Sequence, residues 1–206
     1  MRTSRGLDRL ITFLDAVVAI AITLLVLPLV DVLDEDHEQS LSTVLSDNAG
    51  RFGAFLLSFV VIARLWRAHH AMFERVGGYD PVFVSLNFGW LLTIVFLPFA
   101  TQVAAVYGGQ DRLAVALYLG TVAISSVLLA VMSLLIGRRD ALRRDDVRPE
   151  HATPPGWWTT SALLLVAFVL GVAVPAVNYW ATLLLLLSAP VEHAVQRRAG
   201  AVPVRE

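Results

Sequence analysis

Apolar residues in this chain fall into six long runs, and almost all of the charge sits between them. The runs cover residues 10–30, 51–73, 81–106, 113–136, 157–174 and 175–191. About 20 helical residues cross a bilayer core about 30 Å thick, and the runs approach or exceed that length. The pattern predicts an all-α, polytopic membrane protein with six transmembrane helices. The third run carries Pro98 in its interior. The sixth is the shortest, and the tight turn at 174–178, with Pro175, also allows runs five and six to close as one re-entrant hairpin.

Composition supports the membrane reading. Hydrophobic residues make up 57% of the 206, with a mean hydropathy of +0.68, well above a soluble domain of this length. The formal net charge is −1, which gives no reason to expect a nucleic-acid partner. With no cysteine, disulfides, thiolate nucleophiles and cysteine-based metal centres are excluded. Arg2, Arg5 and Arg9 precede the first run as in a signal peptide. That run is long enough to span and lacks a small-x-small cleavage site, so it reads as a retained helix.

All sixteen basic residues are arginine, and they orient the bundle. With the N-terminus inside, fourteen fall on the inner side and only Arg51 and Arg112 outside. The expectation is a multi-pass protein of the bacterial inner (plasma) membrane with both termini cytoplasmic. The stretch 31–50 holds six carboxylates and reads as a solvated outer loop or as a vestibule that concentrates cations. The stretch 137–156, rich in Arg and Asp and ending Pro154-Pro155-Gly156, reads as a flexible cytoplasmic linker within a single channel domain, 1–206.

Polar side chains inside the runs are few. Asp15 lies well within the first, where a carboxylate is costly without a partner or a role. Trp66, His69 and His70 near the end of the second run, and Asn87 early in the third, fall at a similar depth. They are expected to join the first three helices through a polar cluster, with His70 a member and His69 interfacial. Adjacent histidines point about 100° apart on a helix, so no metal site is expected.

Three ordered motifs then carry a resemblance. Arg9-x-x-x-Phe13-Leu14-Asp15 opens the first run, Trp66-x-x-His69-His70-x-x-Phe73 closes the second, and Asn87 precedes Leu97-Pro98-Phe99-x-Thr101 in the third. Together they resemble the lysosomal potassium channel family known as transmembrane protein 175, with its prokaryotic homologues. Leu14 stands where that family usually has Ser. The resemblance implies six-helix subunits that assemble as homotetramers around a pore lined by the first helix, without a carbonyl filter loop. Carried over by position, Ile20, Thr23 and Leu27 are the pore-lining and selectivity residues. Arg9, Phe13, Asp15, Trp66, His70 and Asn87 form a structural network.

Helical geometry agrees with this division. Ile20, Thr23 and Leu27 fall within an arc of about 60°, extended by Ala16 and by Asp31 at the outer mouth, while Asp15 points about 140° from Ile20. Arg9 and Phe13 fall near the pore arc rather than with Asp15. The expected function is a potassium-permeable, modestly potassium-selective, leak-type cation channel with hydrophobic constrictions. The alternatives are a secondary transporter or a proton-permeable channel using Asp15. Paired carboxylates and nucleophile–base pairs are missing from the runs, so an enzyme is not expected. No cofactor is expected, and the partners are potassium ions, the lipid bilayer and further copies of the chain.

Overall fold

The computed structural model describes residues 4–35, 39–108, 111–147 and 165–166. Six helices follow in order: α1 (Ser4–Leu24), α2 (Leu27–Glu35), α3 (Leu41–Asp47), α4 (Ala49–Phe73), α5 (Pro81–Tyr107) and α6 (Arg112–Arg138). Among the described residues, four segments are long and apolar enough to cross a membrane: Arg5–Val32, which joins α1 to α2, then α4, α5 and α6. They match the first four predicted spans. The fifth and sixth, 157–174 and 175–191, lie outside the described residues apart from a helical dipeptide at 165–166.

Local chemistry explains the helix boundaries. Asp80 caps α5 by accepting the Phe83 N–H at 2.7 Å, with Pro81 in the first turn where its missing N–H costs nothing. Asp111 caps α6 through the Leu113 and Ala114 amides at 2.7 and 3.3 Å. Gly108, at φ 61° and ψ −169°, takes a positive-φ conformation that favours glycine where α5 ends. Pro98 sits inside α5, and Thr101 donates from its hydroxyl to the Leu97 carbonyl at 2.7 Å beside it.

Two sequence expectations need correction. The first run is not one helix, because it breaks at Leu25 and Val26. Pro28 is the cause, since it offers no amide to the carbonyl four residues earlier. The acidic stretch 31–50 is not a loop but mostly helix. α2 continues to Glu35, α3 follows with Ser40 as its cap, and α4 begins at Ala49. Acidic side chains are compatible with exposed helix, so their density alone could not distinguish helix from coil.

α5 lies at the centre of the described bundle and packs on α1, α4 and α6. α1 buries Leu14, Val18 and Ala21, and Leu25 at the break continues the row, spaced four, three and four residues apart as on one face of a helix. The side where α1 begins is built around the α4–α5 turn. Gly6 leaves no room for a side chain, since a Cβ there would lie 2.3 Å from the Tyr79 hydroxyl. Gly77 and Gly78 donate to the Leu142 carbonyl, Arg144 N–H donates to the Arg75 carbonyl, and Arg139 pairs with Asp80 at 2.6 Å. Gly77 is required there because a Cβ would meet the Arg144 Cα at 2.8 Å. The described start of the predicted linker is therefore docked on this turn, with Leu142 fully buried.

Candidate functional site

α1 has two opposed faces. Ile20 is 58% exposed and Leu27 54% exposed, and Ala16, Thr23 and Asp31 are exposed with them. The opposite face, from Leu14 through Leu25, is buried against α4 and α5. Each residue of the predicted stripe is thus exposed in the described subunit. Thr23 donates its hydroxyl to the Ile20 carbonyl at 2.8 Å, which leaves its oxygen lone pairs facing away from the helix backbone. This face carries large apolar side chains interrupted by one hydroxyl layer, so it can narrow a water path and offer oxygen at one level.

Behind the stripe, Asp15 accepts the Trp66 indole N–H at 2.9 Å, which ties α1 to α4. His69 lies 2.9 Å, through Nε2, from the Asn87 side-chain oxygen, which ties α4 to α5. The Asn87 amide donates to the Phe83 carbonyl at 2.8 Å, and the His69 ring stacks on Trp90 at 3.9 Å with the planes 3° apart. The buried histidine is therefore His69, at 2% exposure, and His70 is exposed with its ring against Trp66. That exchanges the places expected for the two. Residues 69 and 70 point about 100° apart, and the helix rotation that sets Trp66 toward Asp15 turns His69 inward.

Two predicted network members are not brought to Asp15. Arg9 is exposed and makes no hydrogen bond or ion pair among the described residues. Phe13, 48% exposed, places its ring 6.0 Å from Phe88 of α5. Leu14 is fully buried and fills the core with an aliphatic side chain.

A second polar cluster has no counterpart in the sequence expectation. Ser58 of α4 lies 3.1 Å from the Tyr118 hydroxyl of α6 and 2.8 Å from the Thr101 hydroxyl of α5. All three are buried. Single serines and threonines in apolar runs usually bond back to their own helix, so only their register across three helices could have marked them. Arg64 was placed with the inner charges, yet it stands nine residues before the end of α4, about 13 Å along its axis. Among the described residues no group of three or more histidines or carboxylates is placed to hold a metal.

The model of the endosomal/lysosomal potassium channel TMEM175 family matches residues 9–98, which include both faces of α1 and the network behind them. A potassium channel from Chamaesiphon minutus is 33% identical over 176 residues, 79% of this chain and 82% of that protein. A potassium channel from Streptomyces collinus is 35% identical over 104 residues, half of each chain. The human endosomal/lysosomal proton channel TMEM175 is 30% identical over 92 residues, and the match covers 45% of this chain but only 18% of the human protein. The crystal structure of a lysosomal potassium-selective channel TMEM175 homologue from Chamaesiphon minutus superposes with a TM-score of 0.72 at 26% identity, covering 90% of this chain and 97% of that one. The chain belongs to the TMEM175 family of membrane channels.

Proposed function

We propose that this protein is a potassium-permeable, modestly potassium-selective leak channel, assembled as a homotetramer of six-helix subunits, with Ile20 and Thr23 of α1 and Leu27 of α2 around the axis. The observation that carries the proposal is the division of α1 into a buried face and an exposed stripe of apolar residues broken by Thr23. Bacterial relatives named potassium channels support the permeant ion. Four copies of Ile20 and Leu27 would narrow the path and gate it by dewetting. Four Thr23 hydroxyls would replace part of a cation's hydration shell. Potassium gives up water more readily than sodium, so selectivity would be real but smaller than that of a carbonyl-lined filter. The arginine distribution supports an orientation with both termini in the cytoplasm, in a bacterial inner membrane. Asp31, exposed beyond the stripe, would draw cations to the outer mouth.

Proton permeation is the second reading, favoured by the names of the animal relatives. Asp15 is not placed to serve it from the stripe, because its carboxylate is engaged by Trp66 on another side of α1. Flux of potassium, sodium and protons into liposomes holding the purified protein tests both readings. Ile20→Asn and Leu27→Ala should each raise cation flux or shift the potassium-to-sodium ratio severalfold. Unchanged flux and ratio in both variants would remove the stripe from the pore.

A further inference from the structure

The break between α1 and α2 lies inside a membrane-spanning segment, Arg5–Val32. It stands fifteen residues beyond Leu10, about 22 Å along the helix axis, still within the hydrocarbon depth. In an unbroken helix the Leu24 carbonyl would accept the N–H of residue 28, and that residue is Pro28. The neighbouring amides go elsewhere. Val26 N–H donates to the Thr23 carbonyl at 3.3 Å, and the Leu29 and Val30 amides both donate to the Val26 carbonyl, at 3.0 and 3.3 Å.

A backbone carbonyl stripped of its donor is costly in hydrocarbon. Broken helix at membrane depth is tolerated where it is buried in protein or lines a water-filled path. The described helices do not bury this one, because Leu24 is 41% exposed, Leu27 54% and Thr23 exposed beside them. Leu24 also lies about 40° from Ile20 around the helix, at the edge of the stripe. Carbonyl oxygens of unwound transmembrane helices are suited to bind dehydrated alkali cations.

We propose that the Leu24 carbonyl, freed by Pro28, is a main-chain ligand for a monovalent cation. Repeated around the axis, it forms with Thr23 an oxygen-lined site between the Ile20 and Leu27 levels. The inference rests on the channel reading above and adds to it a binding site made by backbone rather than by side chains. Pro28 is the residue that creates the site, although its own ring touches no ion.

Pro28→Ala tests it, because alanine restores the missing N–H and favours a continuous helix. In liposomes carrying the purified protein, the potassium-to-sodium flux ratio should fall at least threefold. A second arm replaces Leu25 by its α-hydroxy acid, introduced by nonsense suppression. This turns the 24–25 peptide bond into an ester, weakens the Leu24 carbonyl as a ligand and leaves every side chain in place. It should lower the ratio in the same direction, and it decides the matter if Pro28→Ala does not fold. Wild-type protein that conducts, with the ratio unchanged in the variants that fold, overturns the carbonyl site alone. Wild-type protein that carries neither ion overturns the channel reading together with this inference.

Discussion

The two polar clusters differ in what they join. At the middle of α1, Asp15, Trp66, His69 and Asn87 connect α1 to α4 and α4 to α5 through a carboxylate, heteroaromatic rings and an amide. Toward the other side, Ser58, Thr101 and Tyr118 connect α4, α5 and α6 through hydroxyls alone. α1 takes part in the first cluster and not in the second. Beyond Asp15, the described hydrogen bonds between helices do not include α1, and the apolar Val18, Ala21 and Leu25 are buried there. Ile20, Thr23, Leu27 and the break at Leu25–Val26 all lie in that stretch. Apolar contacts are non-directional and tolerate sliding or rotation, whereas hydrogen bonds fix register. Among the described residues the directional anchor of the first span is therefore at Asp15, and the candidate constriction beyond it is held by apolar burial.

Removing the amide at the centre of the first cluster should have the largest effect. Asn87→Leu leaves the buried His69 ring nitrogen without its partner, at a cost of about 1–3 kcal/mol. Thermal unfolding of the detergent-purified protein should show a clear loss. Stability equal to wild type would mean that the first cluster is not the stronger anchor.

Trp66→Phe is the sharper test, because it detaches α1 while keeping an aromatic ring in place. The Asp15 carboxylate loses the indole N–H, a loss of about 1–2 kcal/mol for an interhelical bond in a membrane. Cation flux should change with it, since the bond holds the helix assigned to the pore. A variant destabilised to that extent with wild-type flux and selectivity would separate the anchor from conduction.

The four described spans were legible from run length and hydropathy, because bilayer thickness and the helical rise fix the number of residues needed. A period of 3.6 sorts Ile20, Thr23 and Leu27 from Asp15 without any neighbour being known, but only the family resemblance singled those three out among the apolar residues of the run. The break was not read from Pro28, although proline chemistry contains it. Proline inside a membrane helix is often accommodated, as Pro98 is in α5, and only the tertiary setting decides between a kink and a break. The choice between His69 and His70 depended on the rotation of α4 about its own axis, which its nearly continuous apolar sequence does not specify. The hydroxyl cluster needed the relative register of three helices, and that is set by packing.

The smallest effect is expected where the second cluster is trimmed. Tyr118→Phe keeps the ring, which is 1% exposed, and removes only the hydroxyl beside Ser58. Ser58 keeps Thr101 at 2.8 Å, so no hydroxyl in that pair is stranded. The cost should be near the average for a membrane side-chain hydrogen bond, about 0.6 kcal/mol. Flux and the potassium-to-sodium ratio should match wild type, because the cluster braces α4, α5 and α6 without touching α1. A severalfold change in either, at so small a loss of stability, would show that the pore senses the far cluster. The part of α1 beyond Asp15 would then be held through α4 and α5 rather than by its own contacts alone.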